Sequence, residues 1–192
     1  MTLELLNTIA SIGTLLVIAA TAIAALGQLR HMRGSNQIAA LTECREVLES
    51  DVFQRDVRFI ARELPELMKD PKTREALANP PVMDSLRAIS NVGNFFESMG
   101  GFVKHGIIDA DIARDLWSGI VAASWRRLKP ALAIMRRKAG PGLWENFEYL
   151  ASLCEEWLER YPRGLYPSGR KRLLVEDTWR SEDEQLGIYE TS

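Results

Sequence analysis

Along this chain the apolar positions change their spacing twice. From Leu5 to Gly27 they are nearly continuous (LLNTIASIGTLLVIAATAIAALG), with no Asp, Glu, Lys, Arg or Pro across 23 residues. From Ile38 onward they recur every three or four residues, the spacing of amphipathic helices. Beyond Pro162 they scatter among Gly, Pro and runs of charge. As a helix the first run would extend roughly 34 Å at about 1.5 Å per residue, enough for a hydrocarbon core of about 30 Å. A lone segment in lipid must satisfy its own backbone hydrogen bonds, so the run reads as a transmembrane helix. Two other readings are weaker. A core helix of a soluble bundle rarely runs this long without a charge. A secretory signal begins with basic residues, not Glu4, and has a shorter apolar run, although Ala24, Ala25 and Gly27 are the small residues a cleavage site uses.

After the span, Gly34-Ser35-Asn36 predicts a hinge, since Gly and Asn tolerate non-helical geometry. A stalk helix follows through Ile38, Leu41, Arg45, Leu48 and Val52. The next piece, DVFQRDVRFIARELPELM, turns Phe53, Val57, Ile60, Ala61 and Leu64 to a core and is limited by Pro65. Asp70-Pro71 marks a turn, and KTREALAN forms a short helix. A long helix is predicted from Pro81 to Lys104, with Val82, Leu86, Ile89, Val92, Phe96, Met99 and Val103 on one stripe. Its Gly93, Gly100 and Gly101 are costly in a helix and imply close approach of a partner helix or a kink. Asp109 or Asp111 caps the following helix, whose core stripe is Val121, Trp125, Leu128, Leu132 and Met135. Pro130 predicts a kink or break near Lys129. A last helix from Leu143 to Arg160 buries Phe147, Leu150, Ala151 and Cys154. KRLLV (171–175) is the one short strand candidate. The fold class is all-α: a transmembrane anchor helix (1–33), a cytoplasmic helical bundle (34–162) and a tail (163–192) that is either flexible or draped over the bundle through Trp179 and Tyr189.

The span carries a pattern of its own. Asn7, Ser11, Thr14, Thr21 and Gln28 fall on one stripe of a helix, and Gly13, Ala20, Ala24 and Gly27 on an adjacent one. Lipid offers hydroxyls and amides no partner, and small residues let helix backbones approach. The stripes therefore suit a parallel homo-oligomer, with the polar seam gluing helices together or lining a narrow pore. Equally, Ser and Thr can bond back to their own helix and leave an inert anchor. Arg30, His31 and Arg33 follow at once as an interfacial anchor. The positive-inside rule then places the bundle in the cytoplasm and the N-terminus outside, in the inner membrane.

Charge changes little in this picture. The formal net charge is −2 with a pI near 5.8, which gives no strong nucleic-acid signal. Two cysteines, Cys44 and Cys154, read as free, partly buried thiols of a reducing compartment. With two histidines beside them and no ligand spacing, no metal site or other cofactor is expected. One basic face, Arg126, Arg127, Lys129, Arg136, Arg137 and Lys138, lies beside Trp125, and Arg55, Arg58 and Arg62 form a second group. Arginine forks suit phosphate and anionic headgroups, although a plainly solvated face explains them too. No Gly-rich phosphate loop, HExxH helix or Gly-x-Ser-x-Gly elbow is present, so no enzyme is expected. Glu97, among Phe95, Phe96 and Met99, is expected to face an arginine of a neighbouring helix rather than to act as an acid or base.

The order of these parts carries a resemblance. One N-terminal span precedes NFFESMGGFVKHGIIDADIARDLW, then the arginines, then PGLWENFEYLASL. This resembles the bacterial domain-of-unknown-function family DUF4760, from the span to about Trp157. The resemblance implies a membrane-anchored helical domain and supplies no catalytic or binding residues. The expected function is a non-enzymatic membrane protein that self-associates through its span, an effector or small pore controlled by a cytoplasmic protein or phosphate-bearing ligand. The alternative is a membrane-tethered scaffold on an inert anchor.

Overall fold

The structure, a computed structural model, describes residues 2–79 and 84–187, and within the first helix it leaves out the side chains of residues 4–6, 8, 9, 29–31 and 33. The expected start of the long helix at Pro80, Pro81 and Val82 therefore lies outside the described residues, as does Tyr189. Among the described residues all regular structure is helical. Contacts divide the chain into two units, residues 1–162 and 163–192.

The first unit opens with α1, Leu3–Glu49, a single helix of 47 residues. It runs through Gly34, Ser35 and Asn36 without a break, so the expected hinge is absent and span and stalk are one element. The turn comes instead at Ser50. Its backbone is extended (φ −66°, ψ 142°), ending α1, and its hydroxyl accepts from the amide of Phe53 at 3.3 Å, capping α2 (Asp51–Arg62). Gln54 donates to the carbonyl oxygen of Leu48 at 2.6 Å, covering one of the acceptors that α1 leaves open. A short α3 (Leu64–Leu67) follows, with Pro65 in its first turn. Asp70 then caps α4 (Pro71–Ala78) by accepting from the amide of Lys72 at 2.9 Å. Arg74 folds back to donate to the carbonyl oxygens of Met68 and Lys69.

A 3-10 turn, Asp84–Leu86, leads into α5 (Arg87–Lys104), shorter at its start than expected. Asp109 caps α6 (Ala110–Ala139) through the amides of Asp111 and Ile112. Pro130 sits inside α6 and does not end it, so of the expected kink or break the break does not occur. The flanking Leu128, Ala131, Leu132 and Ile134 are all buried, and their packing outweighs one missing hydrogen bond. The last helix of the unit, α7, spans Glu145–Arg160. It begins two residues later than Leu143 because Trp144 takes a left-handed conformation (φ 55°).

The core forms where α5 and α6 both pack on α7, with α2 on α5 and α4 on α6. α1 enters it through Ala40, Cys44 and Leu48. Phe53, Phe96, Phe147 and Trp125 form a continuous chain of ring contacts at centroid separations of 4.9–5.9 Å. Two glycines let α7 come this close to α5. A Cβ on Gly93 would lie 2.0 Å from the Trp144 ring, and one on Gly100 2.1 Å from the carbonyl oxygen of Asn146. At Gly101 the nearest atom is 4.0 Å away, so that glycine is not required by packing. Close approach, not a kink, is the reason for the first two.

In the second unit α8 (Arg180–Gln185) is the only helix among the described residues. KRLLV is not a strand: Leu173, Leu174 and Val175 are 87%, 83% and 91% exposed in irregular backbone. Arg172 lies over the ring of Tyr166, 4.8 Å from its centroid, and donates to the carbonyl oxygen of Arg163 at 2.7 Å.

Candidate functional site

Three places in the molecule concentrate chemistry-bearing side chains: the polar stripe of α1, the basic face of α6, and a groove between α2 and the start of α5.

On α1 the segment Ala10–Gln28 is long and apolar enough to cross a membrane, and none of it is buried against the rest of the protein. Within its polar stripe the side chains divide. The Thr14 hydroxyl donates to the carbonyl oxygen of Ala10 at 2.9 Å, and Thr21 to Val17 at 2.8 Å. Both threonines are thus satisfied by their own helix. Asn7, Ser11 and Gln28 make no side-chain hydrogen bond among the described residues. Gly13 and Gly27 face open space, and Ala20 and Ala24 are exposed beside them. The side chains of Arg30, His31 and Arg33, the expected interfacial anchor, lie outside the described ones.

The six basic residues of α6 do not act as one group. Arg126 pairs with Glu155 of α7 at 3.7 Å. Arg136 is half-buried and held twice, by Glu148 at 2.7 Å and by the carbonyl oxygen of Leu143 at 2.9 Å. It fastens α6 to the α6–α7 turn, although its Nη2 is buried without a partner. Lys138 reaches Asn79 at the end of α4. Of the six, Arg127, Lys129 and Arg137 are exposed and carry no partner among the described residues.

Among the described residues Glu97 has no arginine partner, contrary to expectation. Its two carboxylate oxygens accept from the Asn146 side chain at 2.8 Å and the Phe147 amide at 2.9 Å. A carboxylate of α5 thus caps the N-terminus of α7, where unpaired amides and the helix dipole favour negative charge. Trp144, left-handed and buried, donates from its indole to Asn94 at 2.9 Å in the same junction. The thiols of Cys44 and Cys154 are free and buried. Burial, with Glu43 nearby, pushes Cys44 up to about 11. Burial pushes Cys154 up to about 12 against the opposing charge of Arg114. Neither is an accessible thiolate near neutrality. Among the described residues no cluster of His, Cys, Asp or Glu could hold a metal ion.

The groove is different in kind. It has a volume of about 620 Å³ and lies between one face of α2 and the segment from Asp84 to Asn91. Arg55, Arg58 and Arg62, one side of α2, all line it, over Val52, Phe59 and Ala88. Across from them, Arg87 is paired with Asp84 at 2.5 Å. Asn91 donates to Asp56 at 2.8 Å. The α2 arginines carry no ion pair or hydrogen bond among the described residues. Half of this arrangement is readable in sequence as the Arg55, Arg58, Arg62 spacing. The opposite wall is not, because only tertiary packing brings Ser85, Arg87 and Asn91 to α2.

No curated protein and no solved structure matches the chain. A family model described as a domain of unknown function, DUF4760, matches residues 15–157. That match starts within the apolar part of α1 and ends in α7, so that it takes in the whole helical core, and the chain belongs to this family.

Proposed function

We propose that this is a non-enzymatic single-pass membrane protein that associates with further copies of itself through α1 and acts as a membrane effector. In this reading the N-terminus lies outside, the bundle lies in the cytoplasm below the inner membrane, and a cytoplasmic ligand or protein controls the state of the span. The observation that carries it is the continuity of α1. One helix presents an unburied apolar segment at one end and inserts Ala40, Cys44 and Leu48 into the bundle core at the other. A flexible tether would leave the bundle free of the span, whereas an unbroken helix transmits rotation and tilt from one to the other. Asn7 and Gln28, amides at the two ends of the polar stripe with no partner among the described residues, supply the reason for a second copy: in lipid an unmatched amide is costly. The basic residues after the span support the orientation.

The test is the mass of the full-length protein in detergent or nanodiscs. A defined oligomer is expected, shifting to monomer in the Asn7→Leu/Gln28→Leu variant, with ion flux across liposomes measured alongside. A monomer for the native chain would remove self-association. One observation favours the scaffold reading, in which the span is an inert anchor: the hydroxyls of Thr14 and Thr21 are already satisfied within α1. If that reading holds, an unrelated apolar span preserves function.

A further inference from the structure

We propose that the groove between α2 and the start of α5 is a binding site for a ligand bearing two or more phosphate groups, held by Arg55, Arg58 and Arg62. The proposal names the chemistry of the cytoplasmic ligand invoked above and rests on that reading for its cellular setting, but not for binding itself.

The argument is one of contrast. Where arginines of this bundle meet another part of the fold, they are matched: Arg74 on two carbonyl oxygens, Arg126 on Glu155, Arg136 on Glu148. Arg114 is shared between Asp111 and the face of Trp157. The α2 arginines are exposed and unmatched, as Arg127 and Arg137 are, and differ from those in lining a groove. They line a concave groove together, yet carry no partner among the described residues. Their spacing of three and four residues stacks them on one helix face, where like charges repel by about 0.2–0.5 kcal/mol per pair. The three carboxylates lining the groove, Asp56, Glu63 and Asp84, offset only part of this charge: Asp84 pairs with Arg87, Asp56 accepts from the neutral amide of Asn91, and none is paired with an α2 arginine among the described residues. Guanidinium forks match phosphate oxygens two at a time, so several arginines in one concavity favour a polyanion over a single carboxylate. The volume, about 620 Å³, falls within the range of small-ligand pockets. Phe59, half-buried, lines the same groove and adds apolar surface beside the arginines. A free nucleotide or polyphosphate and the phosphorylated headgroup of a lipid share this chemistry.

The experiment uses the full-length chain in neutral-detergent micelles and has two arms. In one, pyrophosphate and a nucleoside triphosphate are titrated by calorimetry. In the other, a phosphoinositide bisphosphate is presented in mixed micelles. Saturable binding that weakens with salt is expected in at least one arm, and the arm that shows it identifies the source. The Arg55→Gln/Arg58→Gln/Arg62→Gln variant is expected to bind about tenfold or more weakly. The Arg127→Gln/Lys129→Gln/Arg137→Gln variant removes as much charge from exposed sites elsewhere and is expected to bind as the native chain does. Absence of saturable binding in both arms overturns the proposal, as does equal weakening by both variants. The oligomeric mass is measured on the same samples. A monomer that binds phosphate defeats the reading of the span and leaves the groove standing; an oligomer that binds none does the reverse.

Discussion

At the scale of the residue, the junction between α5 and α7 shows how narrowly single positions are specified. Gly100 and Gly101 are neighbours with identical local propensity, yet only Gly100 faces the backbone of Asn146. Gly100→Ala is expected to cost about 1–3 kcal/mol or more, since the clash is with a carbonyl oxygen that cannot swing away. At Gly101 an added Cβ meets the Asn146 side chain only at van der Waals distance, 4.0 Å, and Gly101→Ala is expected to stabilise by about 0.5–1 kcal/mol. Thermal unfolding of the two variants in the same detergent checks the pair, and equal Tm changes would contradict this account. The sequence shows that these glycines are unusual in a helix, but not which of them the partner presses on, because that depends on the azimuth of a helix more than forty residues away. It is equally silent about Trp144. Nothing in PGLWENF marks a left-handed tryptophan, since the conformation is held by the indole's bond to Asn94 and the capping of the following turn by Glu97. The carboxylate of Glu97 looked like half of an ion pair because charge is visible in sequence and vacant backbone amides are not.

At the scale of the element, a hinge is expected at Gly34-Ser35-Asn36 and a kink or break at Pro130, and the helix is continuous through both. Gly34-Ser35-Asn36 costs α1 on the order of 1–2 kcal/mol in helix propensity. That is little against a helix already nucleated on both sides. Pro130 costs more, about 3 kcal/mol, and α6 still runs through it because its neighbours are buried on both sides of the break point. This defines a test. Pro130 is exposed, so alanine there restores the amide that would donate to the carbonyl oxygen of Arg126, without disturbing the core. The gain of up to about 3 kcal/mol is offset by about 0.4–1 kcal/mol from the freer unfolded chain. Pro130→Ala is therefore expected to raise stability by about 2 kcal/mol, read as a higher midpoint in denaturant with unchanged slope. A loss of stability would mean that the proline's geometry is itself used in packing. The apolar stripes of α5, α6 and α7, by contrast, are legible in sequence position by position, because they depend on period alone.

At the scale of the whole molecule, Cys44 of α1 and Cys154 of α7 tie global stability to alkaline pH. Their thiols titrate near 9.0 when exposed, and burial moves them up to about 11 and about 12 in the folded chain. Between those values the unfolded state has lost protons that the native state keeps, so stability falls as pH rises. Below about pH 9 the thiols contribute no pH dependence. Comparing unfolding at pH 8 and pH 10.5, the Cys44→Ala/Cys154→Ala variant is expected to lose less stability than the native chain. A slope identical to that of the native chain would show that the thiols titrate normally. Maleimide labelling of the native protein at neutral pH is expected to be slow for the same reason. What sequence could not supply at this scale is the groove, which needs α2 and the start of α5 side by side. One part of its lining, ending at Glu63, is separated from the other, starting at Asp84, by the chain from 64 to 83.

The unbroken α1 has a consequence for how this chain tolerates change. In a continuous helix each residue adds about 100° of rotation and 1.5 Å of rise. The direction in which the groove opens is thus set, relative to the polar stripe of the span, by nothing more than the number of residues between them. A one-residue deletion near Met32 would leave every contact in the bundle and every side chain of the apolar segment unchanged, yet turn one against the other by more than a quarter of a revolution. A deletion of seven would bring them back almost into phase. Chain length between span and bundle is therefore itself an inherited specification, as strict as the identity of a buried residue.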